Sequence, residues 1–261
     1  MFHNATVRYI QLTDLHLLEE GPWVGFERAL TVAAERKPDL LMITGDLARE
    51  WGSMALYRAV QQRLDAFPSD WIVMPGNHDD PACFGDAFGR RYASTDDWHG
   101  MNRLVQCGGY RNIIIDSSSG TVAHEALLWL DATLTMIQTG VITGHEHPDV
   151  LIWIHHPVLT GFSRFMDEHY PLSNALEVRS VLERYSLNLR FHIFCGHYHC
   201  EDISRVGTAT QYCTPSTWRQ IDQYSSEFRP LPGDDEGACR VVDINESGVQ
   251  TVVVSGTGTF M

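Results

Sequence analysis

Trp71-Ile72-Val73-Met74-Pro75-Gly76-Asn77-His78-Asp79-Asp80 joins an apolar run to a polar tip. The apolar part reads as a short strand buried on both faces. It stops at Pro75-Gly76 and at once presents an amide, an imidazole and carboxylates, a set that a plain turn does not need. Asn77 offers a hard carbonyl oxygen to a metal ion, and His78 can hold or release a proton near neutral pH. Asp80 before Pro81 is the pattern of a helix N-cap with proline in the first turn.

The same construction recurs on either side. Thr6 to Leu12 ends in Thr13-Asp14-Leu15-His16, and Leu40-Leu41-Met42-Ile43 ends in Thr44-Gly45-Asp46. Val150 to Ile154 ends in His155-His156-Pro157, and Phe191 to Cys195 in Gly196-His197-Tyr198-His199. Helical spacing fills the intervals at Pro22 to Arg36, Ser53 to Ala66, His124 to Ile137 and Asn174 to Arg184. Strand–helix alternation with unbroken apolar strands predicts parallel pairing in an α/β fold.

The middle is less regular. Ser94 to Met101 reads as a polar, aromatic-rich connection, and Leu104 to Cys107 with Tyr110 to Ile115 as strands joined at Gly108-Gly109. Beyond His199 the pattern turns to strands, at Gln211 to Thr214, Ala238 to Ile244 and Val249 to Val254, with Pro230 to Gly237 read as a loop. No repeat and no long linker divides the chain, so residues 1–261 are expected to form one domain.

Composition narrows the function classes. With 44% hydrophobic and 20% charged residues the chain has the balance of a globular protein. No apolar run approaches membrane-spanning length, and no basic leader with a cleavage site precedes the first strand. The expected location is cytoplasmic. Cys83, Cys107, Cys195, Cys200, Cys213 and Cys239 are scattered without a CxxC pair, which argues against a disulfide framework or a zinc ribbon. A net charge of −14, with Lys37 the only lysine, argues against long nucleic acids and anionic membranes as partners. An acidic protein that handles phosphate must supply positive charge locally, and metal ions are one way to do so.

In a parallel α/β sheet the C-terminal strand ends share one edge, where sites are built. Asp14, His16, Asp46, Asn77, His78, His155, His197 and His199 are all delivered there. Asp14/His16 and His197/His199 are each two residues apart, so both members of a pair can point the same way from extended backbone. Any one of these features has an ordinary explanation as a turn or a core histidine, but the succession does not. Oxygen and imidazole donors without thiolate suit Mn, Fe, Zn or Co.

Asp14-x-His16, Gly45-Asp46, Gly76-Asn77-His78-Asp79, His155-His156-Pro157 and Gly196-His197-x-His199 resemble, in this order, the motifs of the calcineurin-like metallophosphoesterases. The details are most similar to class III cyclic nucleotide phosphodiesterases and their glycerophosphodiesterase relatives. They include Met166-Asp167 leading to Asn174, and Cys213-Thr214-Pro215-Ser216-Thr217. The resemblance implies an αββα sandwich of two mixed sheets flanked by helices, with residues from about 208 to 261 completing the second sheet. It implies two divalent or trivalent metal ions, the first held by Asp14, His16, Asp46 and His199. The second would be held by Asp46 as a bridge, Asn77, His155 and His197.

The implied reaction is hydrolysis of a small phosphodiester, cyclic nucleotides foremost, by a hydroxide held between the metals. His78 and Asp79 are the catalytic candidates. His78 would contact the phosphoryl oxygen or protonate the leaving oxygen; Asp79 either orients His78 or caps the following turn. Asn77, His78, Met166, Asp167 and Asn174 are candidates for the substrate side, as is the turn from Thr214 to Thr217. His156 is expected to be structural or to stand behind a metal ligand, and His3, His99, His124, His145, His147, His169 and His192 match no motif. A homodimer is also implied.

Departures are equally informative. Arg49 stands where purple acid phosphatases have a tyrosine ligand, and the Asp-x-x-Asp-Arg-Gly signature of Ser/Thr protein phosphatases is absent. A phosphomonoesterase, a glycerophosphodiesterase or a lipid-precursor pyrophosphatase would use the same centre. A metal-free scaffold would have lost ligands, and no motif residue is missing.

Overall fold

The computed structural model describes residues 6–89, 101–142, 147–256 and 258–259. The connection expected at Ser94 to Met101 falls, but for Met101, outside the described residues, as do His3, His99 and His145. The chain runs β1 (Val7–Leu12), α1 (Val24–Glu35), β2 (Leu40–Thr44), α2 (Met54–Asp65), β3 (Asp70–Met74) and α3 (Pro81–Phe88). It continues through β4 (Arg103–Cys107), β5 (Tyr110–Ile115), α4 (His124–Gln138), β6 (Asp149–Ile154), α5 (Arg164–His169), α6 (Ala175–Glu183) and β7 (Arg190–Cys195). The remainder is β8 (Asp202–Val206), β9 (Ala209–Cys213), β10 (Arg219–Ile221), β11 (Pro230–Asp234), β12 (Cys239–Asn245), β13 (Gly248–Ser255) and β14 (Gly258–Thr259).

One sheet has the order β14-β13-β12-β1-β2-β3, the other β4-β5-β6-β7-β9-β8, and β10-β11 form a separate hairpin. The strands that carry the motifs pair in parallel, β1 with β2, β2 with β3, β5 with β6 and β6 with β7. Antiparallel strands complete both sheets.

Period-two alternation builds the layers. Ile10, Leu12, Leu41, Ile43, Trp71 and Val73 face one core under α1, α2 and α3. Their neighbours Tyr9, Leu40, Met42, Ile72 and Met74 face a second core shared with Leu151, Trp153, Phe194 and Tyr212 of the other sheet. Val150, Ile152, Ile154, Phe191 and Ile193 pack outward on α4 and α6. Two mixed sheets thus lie face to face with helices outside, the expected αββα sandwich.

Two expectations need correction. The C-terminal segment does not complete the second sheet alone: β9 joins that sheet, whereas β12, β13 and β14 extend the first beside β1. Residues Pro230 to Asp234, read as loop, form a strand against β10. Proline is tolerated there because the strand sits in a two-stranded hairpin with a free edge. No helix of the described residues is long and apolar enough to cross a membrane.

Candidate metal centre

Backbone geometry already singles out the motif residues. Among the described residues seven non-glycine residues adopt positive φ, and five of them are Asp14 (52°), His16 (44°), Asp46 (51°), His197 (65°) and His199 (48°). Left-handed backbone at such residues costs on the order of 1–3 kcal/mol each and persists only where surrounding structure enforces it. Asp14/His16 and His197/His199 therefore converge through tight left-handed turns, not through the extended backbone expected from their spacing. The Gly76 backbone packs against Asp46 so closely that a Cβ there would collide with the carboxylate.

The side chains meet in overlapping groups. Asp14, His16 and His199 bring ligand atoms within 4.8 Å of one another, and so do Asp46, His155 and His197, and His16, Asp46 and His78. Asp46 Oδ2 lies 3.6 Å from His16 Nε2 and 3.4 Å from His155 Nε2, between the first two groups. His199 Nε2 is 3.3 Å from Asp14 Oδ1, and Asn77 Oδ1 is 3.2 Å from His155 Nε2. All the sequence candidates for metal binding are thus brought together.

The far ring nitrogens fix which atom faces inward. His155 Nδ1 donates to the Thr44 carbonyl at 2.8 Å and His199 Nδ1 to the Arg219 carbonyl at 2.7 Å, leaving each Nε2 for the centre. His197 reverses the arrangement, giving Nε2 to the Tyr170 carbonyl at 3.0 Å and keeping Nδ1 inward. Such outer hydrogen bonds orient histidine ligands at metal sites. His16 Nε2 and His199 Nε2 face each other at 2.9 Å although His199 already donates through Nδ1, and His16 Nδ1 is buried without a partner. Buried, inward-facing donors of this kind fit metal ions.

Charge is distributed to match. Burial holds the His16 imidazole down to about 3, with His199 adding to the effect, and burial and His155 take His197 to about 4. At His155 burial is outweighed by Asp46, which raises the imidazole to about 9; at His199 it is outweighed by Asp14. Without metal, protons on His155 and His199 occupy the space between the carboxylates. Metal uptake must displace them, so apparent affinity should weaken as pH falls through about 9. Calorimetric titration with Mn²⁺ at pH 7 in buffers of different ionisation enthalpy should register proton release; uptake without release would contradict this charge pattern.

Several expected roles change. The buried Asp79 carboxylate accepts from the Leu47, Ala48 and Gly76 amides at 3.1, 3.2 and 2.9 Å and from Tyr57 Oη at 3.0 Å. It ties the Asp46 and Asn77 loops together, and none of these four bonds goes to the His78 ring. Burial, with Asp46 beside it, pushes its carboxyl up to about 6. In metal-free protein its contribution to folding is complete below the usual carboxylate range and is lost as pH rises through about 6. Asp79→Asn sets an NH₂ against amide donors and should cost roughly 3 kcal/mol or more, read as a lower urea midpoint. An unchanged midpoint with collapsed turnover would return Asp79 to the chemistry.

Asp167 is spent on the Gly161 and Ser163 amides, at 3.0 and 2.9 Å, and on Tyr198 Oη at 3.0 Å. Asn174 bonds both the amide and the carbonyl of Val122, at 2.9 and 2.8 Å. Neither lines the cavity at the centre, so both leave the substrate side. The turn from Thr214 to Thr217 also faces inward: Ser216 Oγ donates to the Asp14 carbonyl at 2.7 Å and Thr217 N to the Thr13 carbonyl at 3.1 Å. His156 packs against His197 with ring centroids 4.1 Å apart and is bonded to Ser117 Oγ at 2.9 Å, a structural placement. Outside the motifs, His147 and His192 pair with Asp149.

The centre opens into a cavity of about 700 Å³ lined by His16, Asp46, Asn77, His78, His197 and His199. Met166 also lines it. The His78 ring stands edge-on to His16, centroids 5.0 Å apart, and has no hydrogen-bond partner among the described residues. Sequence reasoning missed the rest of the wall: Arg49, Phe165, Tyr170, Trp218, Arg219, Ile221 and Phe228. The only signal was adjacency, since Trp218-Arg219 directly follows the Thr214-to-Thr217 turn.

Fold and site together define a metallophosphoesterase. The calcineurin-like phosphoesterase family model matches residues 7–201, and the chain belongs to that family. It is 30% identical to a probable cyclic nucleotide phosphodiesterase of Fibrobacter succinogenes, over 84% of this chain and 82% of that protein. It is 28% identical to the 3′,5′-cyclic adenosine monophosphate phosphodiesterase CpdA of Escherichia coli K12, over 86% of this chain and 81% of that one. Purple acid phosphatase PPD1 of yellow lupin shares the fold at a TM-score of 0.72 and 11% identity, over 99% of this chain and 53% of that chain.

Proposed function

We propose that this phosphoesterase hydrolyses small cyclic nucleotides at a two-metal centre. The observation that carries this reading is the two-sided cavity. Its inner wall offers the carboxylate and imidazole cluster, and its outer wall offers Phe165, Tyr170, Trp218 and Phe228. Tyr170 and Phe228 are 52% and 58% exposed, so they present aromatic surface that a planar base could cover. A glycerol headgroup would use the polar side and leave that wall bare.

Asp14, His16, Asp46 and His199 would hold one metal, and Asp46, Asn77, His155 and His197 the other, drawn from Mn, Fe, Zn or Co. When bound, the ions would supply positive charge for the phosphoryl oxygens and a water acidic enough to attack phosphorus. The chain's own groups do the positioning. Asp46 takes the His78 amide on Oδ1 at 2.9 Å, so this carboxylate sets where His78 begins. The free His78 ring then hydrogen-bonds the phosphoryl group or gives a proton to the leaving oxygen. The six free cysteines support a reducing, cytoplasmic setting. The family resemblance carries a homodimer with it, which light scattering would read.

A substrate panel on metal-reconstituted protein tests the reading. It contains 3′,5′- and 2′,3′-cyclic nucleotides, glycerophosphodiesters, a chromogenic diester and a chromogenic monoester. The highest kcat/KM is expected for a cyclic nucleotide. A preference for glycerophosphodiesters, or monoester turnover alone, would overturn it.

A further inference from the structure

Arg49 stands three residues beyond Asp46 and lines the same cavity. Three contacts hold it in place. The backbone amide bonds the Leu17 carbonyl at 3.0 Å, and Nε donates to the His16 carbonyl at 3.2 Å. The guanidinium carbon lies 4.3 Å from the Trp218 ring centroid, and Trp218 lies 5.3 Å from the His16 ring. The Arg219 guanidinium approaches the same indole, at 4.7 Å. Arg49 is therefore fixed through Nε and through the face of its plane, next to a candidate metal ligand.

The remaining donors are unspent. Among the described residues no carboxylate pairs with Arg49 and no acceptor meets its two Nη groups. In a chain with a net charge of −14, Arg8, Arg63, Arg184 and Arg190 each pair with an acid, and Arg49 does not. A guanidinium with unspent paired donors on the wall of the cavity at the carboxylate and imidazole cluster has the groups that hold a phosphoryl oxygen. A tyrosine ligand at this position would add a phenolate to the metals; arginine adds a cation for the substrate instead.

We infer that Arg49 is a specificity-determining contact, with its Nη groups donating to a non-bridging phosphoryl oxygen while Trp218 holds its plane. This deepens the phosphodiesterase reading and rests on it, but not on the identity of the nucleoside. The test compares wild type, Arg49→Met and Arg49→Lys after metal reconstitution. The readouts are metal content, KM for bis(4-nitrophenyl) phosphate, and the inhibition constant of inorganic phosphate.

Arg49→Met is expected to keep both metals and to raise KM and the phosphate inhibition constant by about tenfold or more, the loss of one charge-assisted contact. Arg49→Lys keeps the charge and should lose less. Values for Arg49→Met within twofold of wild type would overturn the assignment. Equal losses in both variants would too, because charge would then not be the basis. Loss of metal from Arg49→Met would also overturn it, giving Arg49 the task of holding the His16 loop. The chromogenic diester and inorganic phosphate report on Arg49 whichever natural diester the wild type prefers, so the two readings can fail separately.

Discussion

Asp46→Asn should fold, retain at most one metal ion per chain, and lose kcat/KM by roughly 10³-fold or more. The substitution keeps the shape of the side chain, removes its charge and turns one acceptor oxygen into an NH₂. Asp46 is 1% exposed and lies between His16 and His155, at 3.6 and 3.4 Å. Burial alone would raise its carboxyl, yet the surrounding imidazoles, His155 foremost, hold it well below the usual range. The site is thus arranged for a negative charge at that point, and only a carboxylate there can serve both ligand groups. An Asp46→Asn protein with two metals and normal turnover would remove Asp46 from between them.

His78→Ala should have the opposite signature, with metal content kept and kcat lowered by about 10²–10⁴-fold. The ring shares a group with His16 and Asp46 but is not needed to complete either of the other two ligand groups. Its backbone amide, bonded to Asp46 at 2.9 Å, survives the substitution. If the ring protonates the leaving oxygen, the loss will be large for a cyclic nucleotide, whose leaving alkoxide is strongly basic. It will be smaller for a 4-nitrophenyl diester, whose leaving group needs no proton. Unchanged turnover of the cyclic nucleotide would take His78 out of the chemistry.

The parallel strands and the ligands at their ends were legible because both depend on local pattern. Apolar runs such as Leu40 to Ile43 and Val150 to Ile154 can be little else than buried strands, and each releases its polar group at the sheet edge. What the pattern could not carry was the left-handed backbone at Asp14, His16, Asp46, His197 and His199, which tertiary contacts impose against intrinsic preference. Asp79, Asp167 and Asn174 were ambiguous in the sequence for a related reason. A polar residue near a motif looks alike whether it faces substrate or a backbone amide, and here the amides of Leu47, Gly161 and Val122 claim them. The substrate wall was the least legible part. Phe165, Trp218 and Phe228 come from separate segments that only the folded chain brings around one cavity.

The central claim is that seven residues from five strand ends hold two metal ions around Asp46. Anomalous diffraction from crystals grown with Mn²⁺ tests it most directly. Two peaks are expected, one within reach of Asp14, His16 and His199 and one within reach of Asn77, His155 and His197, with the Asp46 carboxylate contacting both. A single peak, or peaks away from these side chains, would contradict the account.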